Sequence, residues 1–202
     1  FVPRRENARV WLPVLAVLAA LPLVVTSEYL LQTAVLAGIY VILASSLNIT
    51  NGYTGLFSFG HAAFYGIGAY AAAILATRMG WGFWLTLPLA GIVAACFGAA
   101  IALLTLRLKG IFLALVTIGF QEIAYLVTLN WIALTRGPMG IPGVPPPRLL
   151  GWELSGNRGY YWLILALDVL VLFVLSRIVT SRIGRAFVAI REDEVAAQSA
   201  GI

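Results

Sequence analysis

Six apolar stretches dominate this chain, near residues 10–26, 29–49, 57–77, 83–106, 111–131 and 160–179. Each approaches the length of about 20 residues that a helix, rising about 1.5 Å per residue, needs to cross a hydrocarbon core about 30 Å thick. The fold class expected is all-α, a polytopic transmembrane helix bundle with about six spans. Composition agrees. The chain is 61% hydrophobic and 10% charged, whereas a soluble domain carries about 25% charged residues. A chain of 202 residues cannot hide that much apolar surface inside one water-facing globule, so lipid has to solvate much of it.

Basic residues set the orientation. With the N-terminus cytoplasmic and six crossings, Arg4, Arg5, Arg9, Arg107, Lys109, Arg177, Arg182, Arg185 and Arg191 lie inside. Only Arg78, Arg136, Arg148 and Arg158 lie outside. That asymmetry follows the positive-inside rule, and an odd number of crossings would break it. Residues 1–180 are expected to form the membrane domain, with an external loop at 132–159 that carries Pro145-Pro146-Pro147. Residues 181–202 are expected on the cytoplasmic side. Trp11, Trp81, Trp84, Trp131, Trp152 and Trp162 fall near span ends, where indole favours the headgroup region. The first run is short and contains Pro13 and Pro22. Preceded by arginines, it has features of a secretory signal, but the second run follows at once, which favours a retained helix. Phe1 in place of an initiator Met, and an end at Gly201-Ile202 within a polar helical pattern, lead to the expectation of a piece of a longer subunit.

The net charge of +5 does not indicate nucleic acid, because the basic residues form no stripe and do not interleave with aromatics. Lone Cys96 excludes an intrachain disulfide or a cysteine metal cluster. The patterns GxxxxGK[ST], HExxH and GxSxG do not occur. Neither an enzyme, an ATP site of its own, a cofactor nor a metal is expected.

Three polar features stand out. Asn48-Ile49-Thr50-Asn51-Gly52-Tyr53-Thr54-Gly55, followed by Ser58, Gly60 and His61, is a glycine-punctuated break. It reads either as a cytoplasmic turn, with His61 in helix packing, or as a broken segment beside a wet path. Gln121-Glu122 sits within the fifth run. An acid in hydrocarbon costs about 2.5–3.5 kcal/mol, so it normally faces protein or water; Glu122 either lines a pathway or ties two helices together. Asp168 poses the same question. Third, 181–202 mixes Phe187, Ile190, Val195 and Ala197 with Arg185, Arg191, Glu192, Asp193 and Glu194. It reads as one short amphipathic helix, either an interfacial anchor or a docking element. Small residues at Ala62, Gly66, Ala69 and Ala73, and at Gly91, Ala95 and Ala99, are expected on the faces where the third and fourth spans pack.

Several blocks in order resemble one family. Ser46-Leu47-Asn48 to Gly52-Tyr53-Thr54-Gly55, then Ser58-Phe59-Gly60-His61-Ala62-Ala63-Phe64-Tyr65-Gly66-Ile67-Gly68-Ala69-Tyr70, is similar to the signature of LivM-type permease subunits of ABC importers. Arg107 to Thr117, Gly137-Pro138-Met139-Gly140-Ile141, and Gly184-Arg185-Ala186 with Ile190 to Ala197 resemble the following blocks. Such subunits serve importers of branched-chain amino acids and, in a close branch, urea.

The resemblance implies a multi-pass protein of the bacterial inner membrane whose further spans follow this segment. Its expected partners are cytoplasmic ATP-binding subunits, a second, related permease subunit, a periplasmic or surface substrate-binding protein, and membrane lipid, with no nucleic acid. It also implies that Arg185, Arg191, Glu192, Asp193, Glu194, Ala196, Ala197 and Gly201 couple the chain to the ATP-binding subunit. Ala196, Ala197 and Gly201 match the spacing of a Glu-Ala-Ala-x-x-x-Gly motif, although Val195 stands at its acid position and Glu194 comes one residue earlier. Candidates for the translocation pathway are Asn48, Asn51, His61, Gln121 and Glu122. The competing classes are a self-contained channel or secondary transporter, which would want several buried ionisable groups, and a structural scaffold. Leucine-type substrates lead on family grounds, with urea or short amides behind.

Overall fold

Helices form wherever the apolar runs allow backbone groups to be satisfied within the segment. In the computed structural model they are α1 (Ala8–Val24), α2 (Glu28–Asn48), α3 (His61–Arg78), α4 (Phe83–Thr105), α5 (Ile111–Asn130), α6 (Ile132–Thr135), α7 (Asn157–Thr180), α8 (Arg182–Glu192) and α9 (Glu194–Ser199). A π turn, Ile49–Tyr53, continues α2, and a two-residue antiparallel ladder pairs Arg148–Leu149 with Trp152–Glu153. The structure describes residues 8–105, 108, 110–149, 152–154 and 156–201, with the backbone alone at 8–12, 149, 152 and 153. Arg4, Arg5, Arg107, Lys109 and Ile202, and the side chains of Arg9, Trp11 and Trp152, lie outside the described residues.

The expected all-helical architecture is present. Among the described residues, four helical stretches are long and apolar enough to cross a membrane: Glu28–Tyr53, Phe83–Thr105, Ile111–Asn130 and Asn157–Thr180. The helix in the third run begins only at His61, because 56–60 is not helical. Its 18 residues are rich in alanine and glycine, so it is less apolar than those four.

The chain divides into two units, Phe1–Gly55 with Ser155–Ile202, and Leu56–Leu154. In the first, α2 and α7 pack side by side. Gly38 makes this possible, since a Cβ there would overlap the Ile164 side chain and approach Asp168. Asn157 Nδ2 at the start of α7 donates to Glu28 Oε2 at 2.6 Å, tying the two helix starts together. Pro22 inside α1 has no N–H, which leaves the Leu18 carbonyl four residues earlier without its helical donor. The Tyr161 hydroxyl on α7 donates to that carbonyl at 2.7 Å. Both Pro22 and Tyr161 are buried. Tyr161→Phe is expected to lower stability by about 1–2 kcal/mol by orphaning a buried acceptor; chemical unfolding of the detergent-solubilised chain would read it.

In the second unit Ala69 and Ala73 of the expected α3 face line a gap with Phe83, Thr86 and Leu87 of α4, but the α4 side of the seam differs from the face expected. Gly66 and Gly91 have open space beside them, whereas a Cβ at Gly68 would sit 3.7 Å from Ala94 Cβ, and one at Gly98 would sit 3.8 Å from the Phe64 ring. Ala90, Ala94 and Gly98 share a face at four-residue spacing, one position before the expected Gly91, Ala95 and Ala99. Small residues occur on nearly every face of these helices, so spacing alone selects no single stripe. Arg78 Nη2 donates to the carbonyls of Ala133 (2.6 Å) and Leu134 (3.1 Å), and Trp84 Nε1 donates to Arg148 O (2.7 Å); these bonds hold the proline-rich loop. Gly137 turns that loop at φ +60, where a Cβ would come within 2.8 Å of Leu129 O.

Candidate functional site

Two regions of the first unit carry polar groups at helix depth: the end of α2, and the α7 face opposite it. The helix does not stop at the glycine-punctuated break. It widens into a π turn, in which the Thr54 N–H reaches the Ile49 carbonyl at 3.2 Å. Such wide turns are rare, and they recur at functional sites. A Cβ at Gly52 would overlap Asn48 Oδ1, so the bare glycine leaves room for the Asn48 amide over the turn. Asn48 and Tyr53 line a cavity of about 730 Å³ between α1, α2 and α7, together with Ser45, Tyr161, Asp168 and Ser176 among mostly apolar neighbours. Asp168 Oδ1 is buried there without a hydrogen-bond partner. The sequence had marked Asp168 only as an acid within a span; its position against Gly38 comes from the pairing of α2 with α7.

The predicted pathway residues divide between the units. Asn48, exposed, and Asn51, half-buried, belong to the first, and His61, Gln121 and Glu122 to the second. In the second unit the backbone N–H of Phe59 donates to Thr117 Oγ1 at 3.0 Å, and Phe64 stacks on Phe120 with ring centroids 5.5 Å apart. The approach to α3 is thereby held on the Thr117 face of α5. Gln121, one turn on, shares that face. Glu122 instead belongs to an exposed stripe with Leu115, Ile118 and Tyr125. A carboxylate in an apolar stripe at helix depth favours a protein or water contact over lipid.

The C-terminal segment is two helices rather than one. Ser181 Oγ caps α8 by accepting from the N–H groups of Ile183 (3.1 Å) and Gly184 (3.4 Å). Asp193 breaks the helix with extended backbone. Its Oδ1 caps α9 by accepting from Val195 (2.9 Å) and Ala196 (3.0 Å), as N-cap aspartates do. Asp193 therefore shapes the corner. Around it, Arg185, Glu192 and Ala196 are exposed, Glu194 is half-buried and Ala197 is buried. Gly201 ends the segment at φ +81. Val195, at the position where the motif's acid was expected, is exposed. Arg191, although exposed, turns back toward the π turn. Its Nη1 donates to Gly52 O at 3.0 Å, and its Nη2 pairs with Glu192 Oε1 at 2.6 Å. Among the described residues no three His, Cys, Asp or Glu side chains come together as a metal site requires.

Comparison with known proteins supplies the context. Residues 29–202 match the family described as branched-chain amino acid transport system / permease component. The chain is 38% identical over 217 residues to the high-affinity branched-chain amino acid transport system permease protein LivM of Escherichia coli (strain K12), covering 96% of this chain and 51% of that protein. It is 40% identical over 192 residues to the LivM protein of Salmonella typhimurium (strain LT2), covering 84% of this chain and 45% of that protein. The chain thus spans about half the length of the curated relatives it matches. No solved structure matches it at a significant level.

Proposed function

Because the chain belongs to the permease-component family of branched-chain amino acid transport systems, we propose that it is the membrane-embedded part of an ABC importer. It moves branched-chain amino acids across the bacterial inner membrane, and separate ATP-binding subunits drive it. The family match carries this reading, since it runs through both the glycine-broken turn and the α8–α9 corner.

In the proposed arrangement the N-terminus is cytoplasmic and the chain crosses six times. Helices α1 and α3, of 17 and 18 residues, reach about 25–27 Å and would span with little tilt. The corner then emerges in the cytosol, where Arg185, Glu192, Glu194 and Ala196 meet an ATP-binding subunit. ATP closure of two such subunits moves the corner, and the bundle opens alternately to either side. A second, related permease completes the path, and an outer substrate-binding protein delivers the solute. Asn48, Asn51, His61, Gln121 and Glu122 are the proposed polar lining.

The test is reconstitution of the complete permease with its ATP-binding subunits and binding protein, followed by uptake of labelled leucine, isoleucine and valine. ATP-dependent uptake supports the reading; uptake of urea alone, or solute movement without the ATP-binding subunits, overturns it. Arg185→Glu and Glu194→Lys are each expected to weaken co-purification of the ATP-binding subunits by about tenfold, equivalent to 1.4 kcal/mol of docking energy. With Cys96→Ser as background, Arg185→Cys should react with a membrane-impermeant thiol reagent only from the cytoplasmic side.

A further inference from the structure

Within the C-terminal corner, the Arg191 side chain runs back to the π turn at the end of α2. Its guanidinium forks. Nη1 donates to the Gly52 carbonyl inside the π turn (3.0 Å), while Nε and Nη2 both donate to Glu192 Oε1 (3.2 and 2.6 Å). Its aliphatic stem lies over Gly55, where a Cβ would stand 2.7 Å from Arg191 Cγ. Gly55 also holds φ +69, a conformation glycine adopts without penalty. Two glycines of the break therefore serve one arginine, Gly52 by offering its carbonyl and Gly55 by leaving room for the stem.

The turn that Arg191 grips is the part of α2 best able to change register, because a π turn differs from an α turn by one residue. Packed elements switch between discrete arrangements rather than deforming smoothly. Asn48, four residues before Gly52, and Tyr53, next to it, line the cavity between α1, α2 and α7. A pull on Gly52 is thus a pull on the polar end of that cavity.

We propose that Arg191 is a positioning residue that carries motion of the α8–α9 corner into the π turn at the end of α2, so that the corner and the cavity move together. This rests on the reading that the corner meets an ATP-binding subunit. It assigns Arg191 to the inner side of the relay rather than to the docking face. Glu192 holds the guanidinium in plane and balances its charge.

The experiment uses the complete importer in proteoliposomes, with three readouts: retention of ATP-binding subunits, ATP hydrolysis and leucine uptake. Arg191→Ala is expected to retain the subunits and hydrolyse ATP at a near-normal rate, while uptake per ATP falls about tenfold, within the usual range of coupling energies. Arg191→Lys, which keeps the stem and one donor but loses the fork, should fall by about threefold. Gly55→Ala, which displaces the stem, should resemble Arg191→Ala. If Arg191→Ala fails to insert, Arg191→Lys decides. Normal uptake per ATP in both arginine variants overturns the proposal, and so does loss of the ATP-binding subunits in them, which would make Arg191 a docking residue. Failure of the underlying reading looks different: Arg185→Glu and Glu194→Lys would then leave subunit retention unchanged.

Discussion

Gly184→Ala is expected to destabilise the α7–α8 corner by about 3 kcal/mol, at the upper end of the cost of overpacking. In an ordinary helix the same change stabilises by about 0.5–1 kcal/mol, because alanine loses less backbone entropy. The sign reverses here because the new Cβ would overlap the backbone carbonyl of Val179 at the end of α7. A flexible side chain could move aside, but a backbone carbonyl in the last turn of α7 cannot shift without moving the chain that carries it. Gly184 is buried, and its N–H is one of the two that Ser181 caps, so relief requires α8 to swing away and lose its cap. Trypsin cleavage at Arg182 and Arg185, measured under conditions where opening precedes cleavage, should accelerate by about a hundredfold. An unchanged rate would mean that the corner opens at no cost, and that α8 is not held as described. Because the proposed drive enters through this corner, uptake should fall as cleavage rises.

Asp168→Leu is expected to act in the opposite direction. Asp168 Oδ1 is buried without a partner within α7, a helix otherwise apolar enough to span. An aspartate at the centre of an inserting helix costs about 2.5–3.5 kcal/mol, whereas leucine is favourable by a few tenths. The isolated 157–180 segment should therefore insert more readily by about 3 kcal/mol, as read by glycosylation mapping in microsomes. In the folded chain the added bulk has somewhere to go, since Asp168 lines the 730 Å³ cavity. Equal insertion of the two segments would show that the carboxylate is already satisfied at the membrane.

Much of this was legible in the chain. The apolar runs at 29–49, 83–106 and 111–131 match α2, α4 and α5 to within about two residues, because a segment with no water to bond closes its own hydrogen bonds. The break at 48–55 was visible from its glycines, and the corner from its mixed charge. The kind of break was not visible. In the folded chain Asn48 Oδ1 lies over Gly52, and an arginine 139 residues away donates to the Gly52 carbonyl, contacts that the local sequence does not record. The split at Asp193 was missed, although an aspartate followed by Glu194 carries the composition of a helix start. Mixed charge alone reads as a docking feature, whereas the capping role of Asp193 lies in its bonds to the Val195 and Ala196 N–H groups.

Sequence by itself determined that this chain is helical and built for lipid, because period and apolarity are local properties summed along one segment. It also carried the family, through blocks spread from Ser46 to Ala197. Only the tertiary structure decided which faces meet. The α3–α4 seam runs through Gly68, Ala94 and Gly98 rather than Gly66 and Gly91; Tyr161 serves the carbonyl that Pro22 orphans; and Arg191 turns inward. Each is a contact between residues distant in the chain; close approach of small residues selects the first, and a hydrogen bond to an otherwise available carbonyl selects the other two.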